Sequence, residues 1–237
     1  MSETPLIAAQ EITMHFGGLA ALVGVDFEVV PREVVGLIGP NGSGKTTLFN
    51  VITGILRPTR GKVMVMDQDV TGWRPHRIAR LGIGRTFQIP SPFAKSTVFE
   101  NLMVAAGADK AQSQERARNL LKDFDLYDVR DEPAESLDSG HLRLLELART
   151  MMLDPKVLLL DEPTSGIDPA LLDRLLDHIK DIHAQSRAIC IVAHDMRAIE
   201  DVCQRVIVLH HGVVIANGTF DEVRQDPEVV DAYLGQG

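Results

Sequence analysis

The chain has 237 residues, 45% of them hydrophobic, which fits one large domain or a core with one subdomain and excludes disorder as the main state. Its 24 Lys and Arg against 33 Asp and Glu give a formal net charge of −9, which argues against nucleic acid and anionic membrane surfaces as partners. The 2 cysteines, Cys190 and Cys203, exclude a disulfide scaffold, no apolar run approaches the ~20 residues of a spanning helix, and Met1–Pro5 lacks a secretory pattern; a soluble, cytoplasmic chain is expected.

In chain order, Leu6 to Met14 reads as a strand of loose alternation. Val23 to Val30 is a second strand, with Val23, Val25, Phe27 and Val29 on one face. Pro31-Arg32-Glu33 is a turn, and Val34 to Ile38 is a short apolar run of the kind buried on both faces of a sheet. A glycine-rich loop from Gly39 to Gly44 precedes a helix over Lys45 to Ile55 that Gly54 weakens. After a turn at Arg57–Gly61 comes a strand over Lys62 to Met66. Val98 to Met152 is mostly helical in pattern, with Leu120, Leu121 and Phe124, then Leu144, Leu145, Leu147 and Ala148, at helical spacing. Strand and helix then alternate: strand Val157–Leu160, helix Pro169–Ile182, strand Ala188–Ala193 and helix Met196–Cys203. Val206–Leu209 and Val213–Ala216 flank His210-His211-Gly212 as a hairpin. Such alternation predicts an α/β fold whose sheet is mainly parallel.

Two motifs carry chemistry. Gly39-Pro40-Asn41-Gly42-Ser43-Gly44-Lys45-Thr46 fits G-x-x-x-x-G-K-[ST] without a mismatch. Its glycines let successive N–H groups curl toward phosphate oxygens, and the following helix presents its positive end to the same anion. Lys45 supplies a point charge for the β- and γ-phosphates, and the Thr46 hydroxyl is a ligand for Mg²⁺. The run Val157-Leu158-Leu159-Leu160 ends in Asp161-Glu162-Pro163. Ligands bind at the carboxyl ends of strands in open α/β sheets. Asp161 is thus placed to hold Mg²⁺ and Glu162 to orient or activate a water. The competing reading is a helix start, marked by Pro163, whose dipole favours acidic residues.

Carrying these motifs, the chain resembles the ATP-binding subunits of ABC transporters along essentially its whole length. The resemblance implies a P-loop, RecA-like core over residues 1–88 and 155–237, with an N-terminal antiparallel β-subdomain, and a helical subdomain over about 89–154. It implies ATP held by residues 39–46, by Thr47, and by Phe16 (in His15-Phe16-Gly17-Gly18) stacked on the adenine. Gln88, in Gly84-Arg85-Thr86-Phe87-Gln88, matches the Q-loop glutamine that touches Mg²⁺ or the attacking water and senses the membrane subunit. His194, in Ile191-Val192-Ala193-His194-Asp195, matches the switch histidine on the γ-phosphate. Asp168, in Ser165-Gly166-Ile167-Asp168, matches the D-loop at the dimer interface. Leu137-Asp138-Ser139-Gly140-His141 stands where the family carries Leu-Ser-Gly-Gly-Gln, the signature that closes on the nucleotide of a second cassette.

A narrower resemblance is to importers of branched-chain amino acids and related hydrophobic or amide substrates. It rests on Phe16-Gly17-Gly18-Leu19-Ala20-Ala21-Leu22, Arg85-Thr86-Phe87-Gln88, Ala216-Asn217-Gly218-Thr219 and Ala232-Tyr233-Leu234-Gly235. It implies two permease subunits, a second ATP-binding subunit, indirectly an extracytoplasmic binding protein, and a place on the inner face of the membrane. Ile89, Pro90, Pro92 and Phe93 are candidates for the groove that receives a permease. The alternatives are the ATPase of a lipid or lipopolysaccharide exporter, a soluble ABC protein, and a P-loop kinase or GTPase.

Five positions depart from the family. Asp138 replaces the signature Ser, Ser139 the first Gly and His141 the Gln. A carboxylate about 4 Å from a phosphate repels it by roughly 4 kcal/mol at an effective dielectric of about 20, yet an Asp here is also a good helix N-cap. Arg32 stands where a Gly is usual, weakening the expected left-handed turn, and Ala193 precedes His194 where this branch often has Glu.

Overall fold

A computed structural model describes residues 4–234. Strand β1 (Ile7–Phe16) and strand β2 (Leu19–Val29) form a hairpin. Strand β3 (Val34–Ile38) follows, then helix α1 (Lys45–Ile52), strand β4 (Arg60–Val65), the short strand β5 (Gln68–Asp69), helix α2 (Pro75–Ala79) and strand β6 (Ile83–Arg85). Helices α3 (Val98–Met103), α4 (Lys110–Asp123) and α5 (Ser139–Met151) come next, with a 3₁₀ turn at Ala134–Ser136 between the last two. The alternating part contains β7 (Val157–Asp161), α6 (Pro169–Ala184), β8 (Ala188–Val192) and α7 (Met196–Val202). Strands β9 (Arg205–His210) and β10 (Val213–Gly218) and helices α8 (Phe220–Gln225) and α9 (Pro227–Leu234) complete it.

The strands make two sheets. One has the order β2-β1-β4-β5 and is antiparallel throughout. The other has the order β10-β9-β3-β8-β7-β6, parallel from β9 to β6 with β10 antiparallel on its edge. This is the mainly parallel α/β core that the strand–helix alternation predicts, with the N-terminal antiparallel sheet that the family resemblance implies.

Why the parallel strands read as unbroken apolar runs is visible in how they divide their side chains. Val34, Leu158, Leu160, Ile189, Ile191 and Val206 face one core, shared with α4 to α7. Their neighbours Val35, Val157, Leu159, Cys190 and Ile207 face a second core, shared with Phe49 and Ile52 of α1 and with Ile12, Val25 and Phe27 of the antiparallel sheet. A period-2 strand between two apolar layers has no wet face, so every position is hydrophobic.

Three expectations need correction. Val23 does not share the face of Val25: it is exposed and Leu22 is buried instead. The pairing passes from Ile12–Val25 to Met14–Leu22, and Gly24, at φ 59°, absorbs the extra residue in a bulge that reverses the facing of what precedes it. Helix α1 ends at Ile52, not Ile55. Gly54 turns the chain at φ 75°, where any Cβ would lie 2.2 Å from the Trp73 carbonyl. Arg32 takes the left-handed turn conformation, at φ 56°, without a glycine. No periodic pattern marks 67–97, yet that stretch contributes β5, α2 and β6, the last a three-residue strand too short to show alternation.

Candidate functional site

The carboxyl ends of β3, β8, β7 and β6 lie side by side in the parallel sheet, and each delivers a side chain or loop from the motifs above. From β3 the chain enters the phosphate loop. Gly39, Gly42 and Gly44 have φ of 148°, 79° and 110°, conformations that L side chains rarely adopt. Gly44 precedes α1 with no side-chain cap, so the first amides of α1 stay available to an anion. The Lys45 ammonium donates to the carbonyls of Gly39 and Pro40 at 2.7 and 3.0 Å. Burial lowers its pKa, opposed by the carboxylates of Glu162 and Asp161. Ser43 is buried and its hydroxyl has no hydrogen-bond partner. The Gly212 N–H donates to the Ser43 carbonyl and the Gly212 carbonyl accepts from Val23, so the β9–β10 turn ties the loop to β2.

A cleft of about 430 Å³ runs over this loop. Its walls include Phe16, Asn41 to Thr47, Gln88, Glu162 and, unforeseen from the sequence, His211. Phe16 is exposed at the end of β1, presenting an open ring face beside the glycine-rich turn at Gly17.

At the end of β7, Asp161 is 2% exposed. Its Oδ2 pairs with Arg85 Nη2 at 2.9 Å, and its Oδ1 has no partner. Burial pushes its pKa up, with Arg85 opposing. Glu162 sits at φ 50°, its N–H donating to the Val192 carbonyl at 2.8 Å. That bend aims its carboxylate between two partners. Gln88 Nε2 donates to Oε2 at 2.9 Å, and His194 Nε2 lies 3.0 Å from Oε1. An ionised carboxylate only accepts, so Nε2 is the protonated nitrogen of His194 in this contact. The structure thus joins Gln88, Glu162 and His194 in one hydrogen-bonded row.

The 137–141 segment and Asp168 do not line this cleft. Leu137 packs against the core, and Asp138 is the N-cap of α5. Asp138 Oδ1 accepts from the His141 N–H at 2.9 Å and Oδ2 lies 2.7 Å from His141 Nδ1; the backbone bond leads in lowering its pKa. Ser139 Oγ donates to the Gly166 carbonyl at 3.2 Å. Gly140 is buried, and a Cβ there would meet Leu171 at 2.3 Å. Asp168 is exposed and its carbonyl accepts from Leu171 and Leu172 at the start of α6.

A separate apolar hollow of about 520 Å³ lies between α2, α5 and the 87–105 segment, walled in part by Ile55, Phe87, Phe93, Val104 and Leu153. Of the four candidates for such a groove, Phe93 lines it; Ile89 projects outward, and Pro90 and Pro92 line a smaller crevice against α5. Sequence reasoning missed Arg85, Arg143 and Glu146. A buried arginine at a strand end beside a strand ending in Asp-Glu is the signal that marks Arg85.

The sequence pattern of the ABC transporter family matches residues 22–165, and that of the branched-chain amino acid ATP-binding cassette transporters matches 213–237. The chain is 38% identical to the high-affinity branched-chain amino acid transport ATP-binding protein LivG of Escherichia coli K12, with 98% of both covered. It is 35% identical to the lipopolysaccharide export system ATP-binding protein LptB of Acidithiobacillus ferridurans, over 99% of this chain and 98% of that one. A crystal structure of an ABC transporter cassette in its ADP conformation superposes with a TM-score of 0.89 at 32% identity, covering 98% of this chain and 100% of that one. Matches of this length and identity mean that the chain belongs to the ATP-binding subunits of ABC transporters.

Proposed function

We propose that this ATPase subunit hydrolyses ATP in the cleft between Phe16, the phosphate loop and Glu162. The energy drives uptake of branched-chain amino acids or related small hydrophobic or amide substrates. The observation that carries the hydrolysis is the placement of Glu162. Its carboxylate is buried on one side and held by Gln88 and His194 on the other, at the mouth of a glycine-rich anion cradle. Phe16 stacks on the adenine, and the amides from Gly39 to Gly44, with Pro40, Asn41 and Ser43 shaping the turn, surround the phosphates. Lys45, now bonded to loop carbonyls, exchanges those for phosphate oxygens. Thr47 adds a hydroxyl to the phosphate side of the cleft. Glu162 accepts a proton of the attacking water and aims its oxygen, while His194 steadies the γ-phosphate.

A divalent cation fits this donor set. Among the described residues no three His, Cys, Asp or Glu gather to hold one by themselves, so its shell needs nucleotide oxygens. The buried, unpartnered Oδ1 of Asp161 is the donor this chain offers, with the Thr46 hydroxyl and the Gln88 amide oxygen. Bound Mg²⁺ would neutralise charge on the transferring phosphoryl group.

The importer reading draws on the match over 213–237 and on the relationship to LivG; the exporter LptB is the second reading. No described helix is long and apolar enough to cross a membrane. The transport path therefore belongs, in this reading, to two permease subunits, one of which docks at the apolar hollow beside Phe87 and Phe93. The subunit then sits on the inner membrane face through those permeases, and an extracytoplasmic binding protein delivers the solute. The helical lobe of about 89–154 faces a second ATP-binding subunit, with Leu137 to His141 and Asp168 at that interface. Glu162→Gln in the purified chain tests the core of this reading: turnover should vanish while ATP binding persists, and retained hydrolysis would refute it.

A further inference from the structure

The β9–β10 turn brings to the cleft a side chain that none of the nucleotide motifs contains. The Gly212 N–H donates to the Ser43 carbonyl at 3.0 Å, and the Gly212 carbonyl accepts from the Val23 N–H at 2.8 Å. A Cβ on Gly212 would lie 2.7 Å from the Ala21 carbonyl oxygen, and one on Gly39 would lie 2.0 Å from that of Leu209. The turn is therefore pressed on β2 and on the phosphate loop at once. Beside Gly212, His211 sits at φ 46°, a left-handed conformation that is uncommon for a residue with a side chain. Its ring packs on that of the half-buried His210, with centroids 4.1 Å apart and planes inclined at 40°. An exposed imidazole thus enters the cleft wall from a fixed backbone, with a second ring against it.

Polar groups are unevenly shared along the cleft. Asn41 to Thr47 supply amides, hydroxyls and an ammonium for phosphates. The lining from β1 and β2, namely Phe16, Leu19, Ala20 and Ala21, is wholly apolar. A nucleoside seated between Phe16 and the loop carries two sugar hydroxyls, and those four side chains offer them no partner. Among the described residues, His211 is the polar side chain of this cleft that lies outside residues 41–47 and the Gln88–Glu162 pair. We propose that His211 is a binding residue for the ribose, hydrogen-bonding a sugar hydroxyl and making this chain discriminate ribonucleotides from their deoxy forms. In its neutral form an imidazole carries one N–H donor and one acceptor, the same pair that a hydroxyl carries, so either ring tautomer serves. The inference rests on the reading of this cleft as the nucleotide seat.

The test is calorimetric titration of the purified full-length chain, with Mg²⁺ present, using ADP and 2′,3′-dideoxy-ADP. The two share base and phosphates and differ in the sugar hydroxyls. The wild type should bind ADP about fivefold more tightly, the worth of one neutral hydrogen bond. His211→Phe keeps a ring against His210 and removes both nitrogens. It should weaken ADP about fivefold and leave the dideoxy form within about twofold, which erases the preference. His211→Gln, whose amide both donates and accepts, should keep most of it. His211→Gly, unstrained at φ 46°, should behave as His211→Phe does and serves if the larger variant fails to fold. No preference in the wild type, or one that survives both His211→Phe and His211→Gly, would overturn the inference. So would equal weakening of the two nucleotides, which marks a phosphate contact or a displaced loop. Phe16→Ala separates the two readings. If it weakens both nucleotides while the His211 variants change nothing, only the role of His211 falls; if it leaves both untouched, the reading of the cleft falls first.

Discussion

Replacing Arg85 with methionine probes how dry the acidic end of β7 is. Asp161 is 2% exposed and its Oδ2 is bound by a guanidinium that is itself 7% exposed, at 2.9 Å. Methionine keeps the aliphatic stem and removes the cation, so a buried carboxylate is stranded with an Oδ1 that has no partner. Breaking a buried pair in this way costs about 3–5 kcal/mol. Asn50 Oδ1 and Thr53 Oγ1 also lose a donor, which adds about 1 kcal/mol. Burial already raises the pKa of Asp161 and Arg85 restrains that rise, so the variant raises it further. A carboxyl whose folded pKa exceeds its unfolded one contributes stability that is full below the ordinary carboxylate range. That contribution is lost as pH climbs through the folded value. The defect of Arg85→Met should therefore be largest in mild alkali and shrink on acidification. Urea unfolding followed by circular dichroism, without nucleotide, should show a loss of about 4–6 kcal/mol near pH 8, or a fall in Tm of roughly 8–24 °C. Adding Asp161→Asn should recover most of it, because the stranded charge is gone. A loss under about 1 kcal/mol, or one of equal size near pH 5, would show that water reaches Asp161 and that the buried-pair argument is wrong.

Other outcomes follow from the same contacts. Asp138→Ser keeps a competent N-cap on α5 and deletes the carboxylate. Unfolding free energy should move by only a few tenths of a kcal/mol while ATPase activity at saturating ATP rises; an unchanged rate would sink the idea that Asp138 repels the phosphate of a second cassette. Burial raises the pKa of Glu146 above its ordinary 4.5, so the wild type should lose stability relative to Glu146→Gln as pH rises from that value. Unfolding curves between about pH 4 and 8 measure the gap, and a constant gap would contradict the burial argument.

The phosphate loop was legible because its chemistry constrains the backbone: only glycine adopts φ of 148° or 110° freely, so the spacing of glycines displays the curl directly. Asp161 and Glu162 were legible because four apolar residues before them announce a buried strand end. What links them to other residues was not legible. Gln88, Glu162 and His194 lie just past β6, β7 and β8, and their mutual hydrogen bonds depend on strand order and on the bend at φ 50° of Glu162. The arginines hid for a related reason. Arg85 and Arg143 look like ordinary solvated charges until the fold assembles acceptors around them from separate segments: Asn50, Thr53 and Asp161 for one, Phe87, Gln88 and Ser165 for the other. The misassigned face of Val23 came from a local event, one extra residue at Gly24, that a strict period-2 reading does not contain.

The β9–β10 turn gives the cleft a mechanical division. Gly212 bonds at once to Ser43 in the phosphate loop and to Val23 in the strand that follows Phe16. In the proposed reading, the seat for the base and the seat for the phosphates are thereby two marks on one ruler. Gln88 stands off that ruler, on a segment leashed to α5. In the proposed reading, seating the nucleotide and orienting the water therefore fall to different segments, the first tied by the β9–β10 turn and the second bonded to α5.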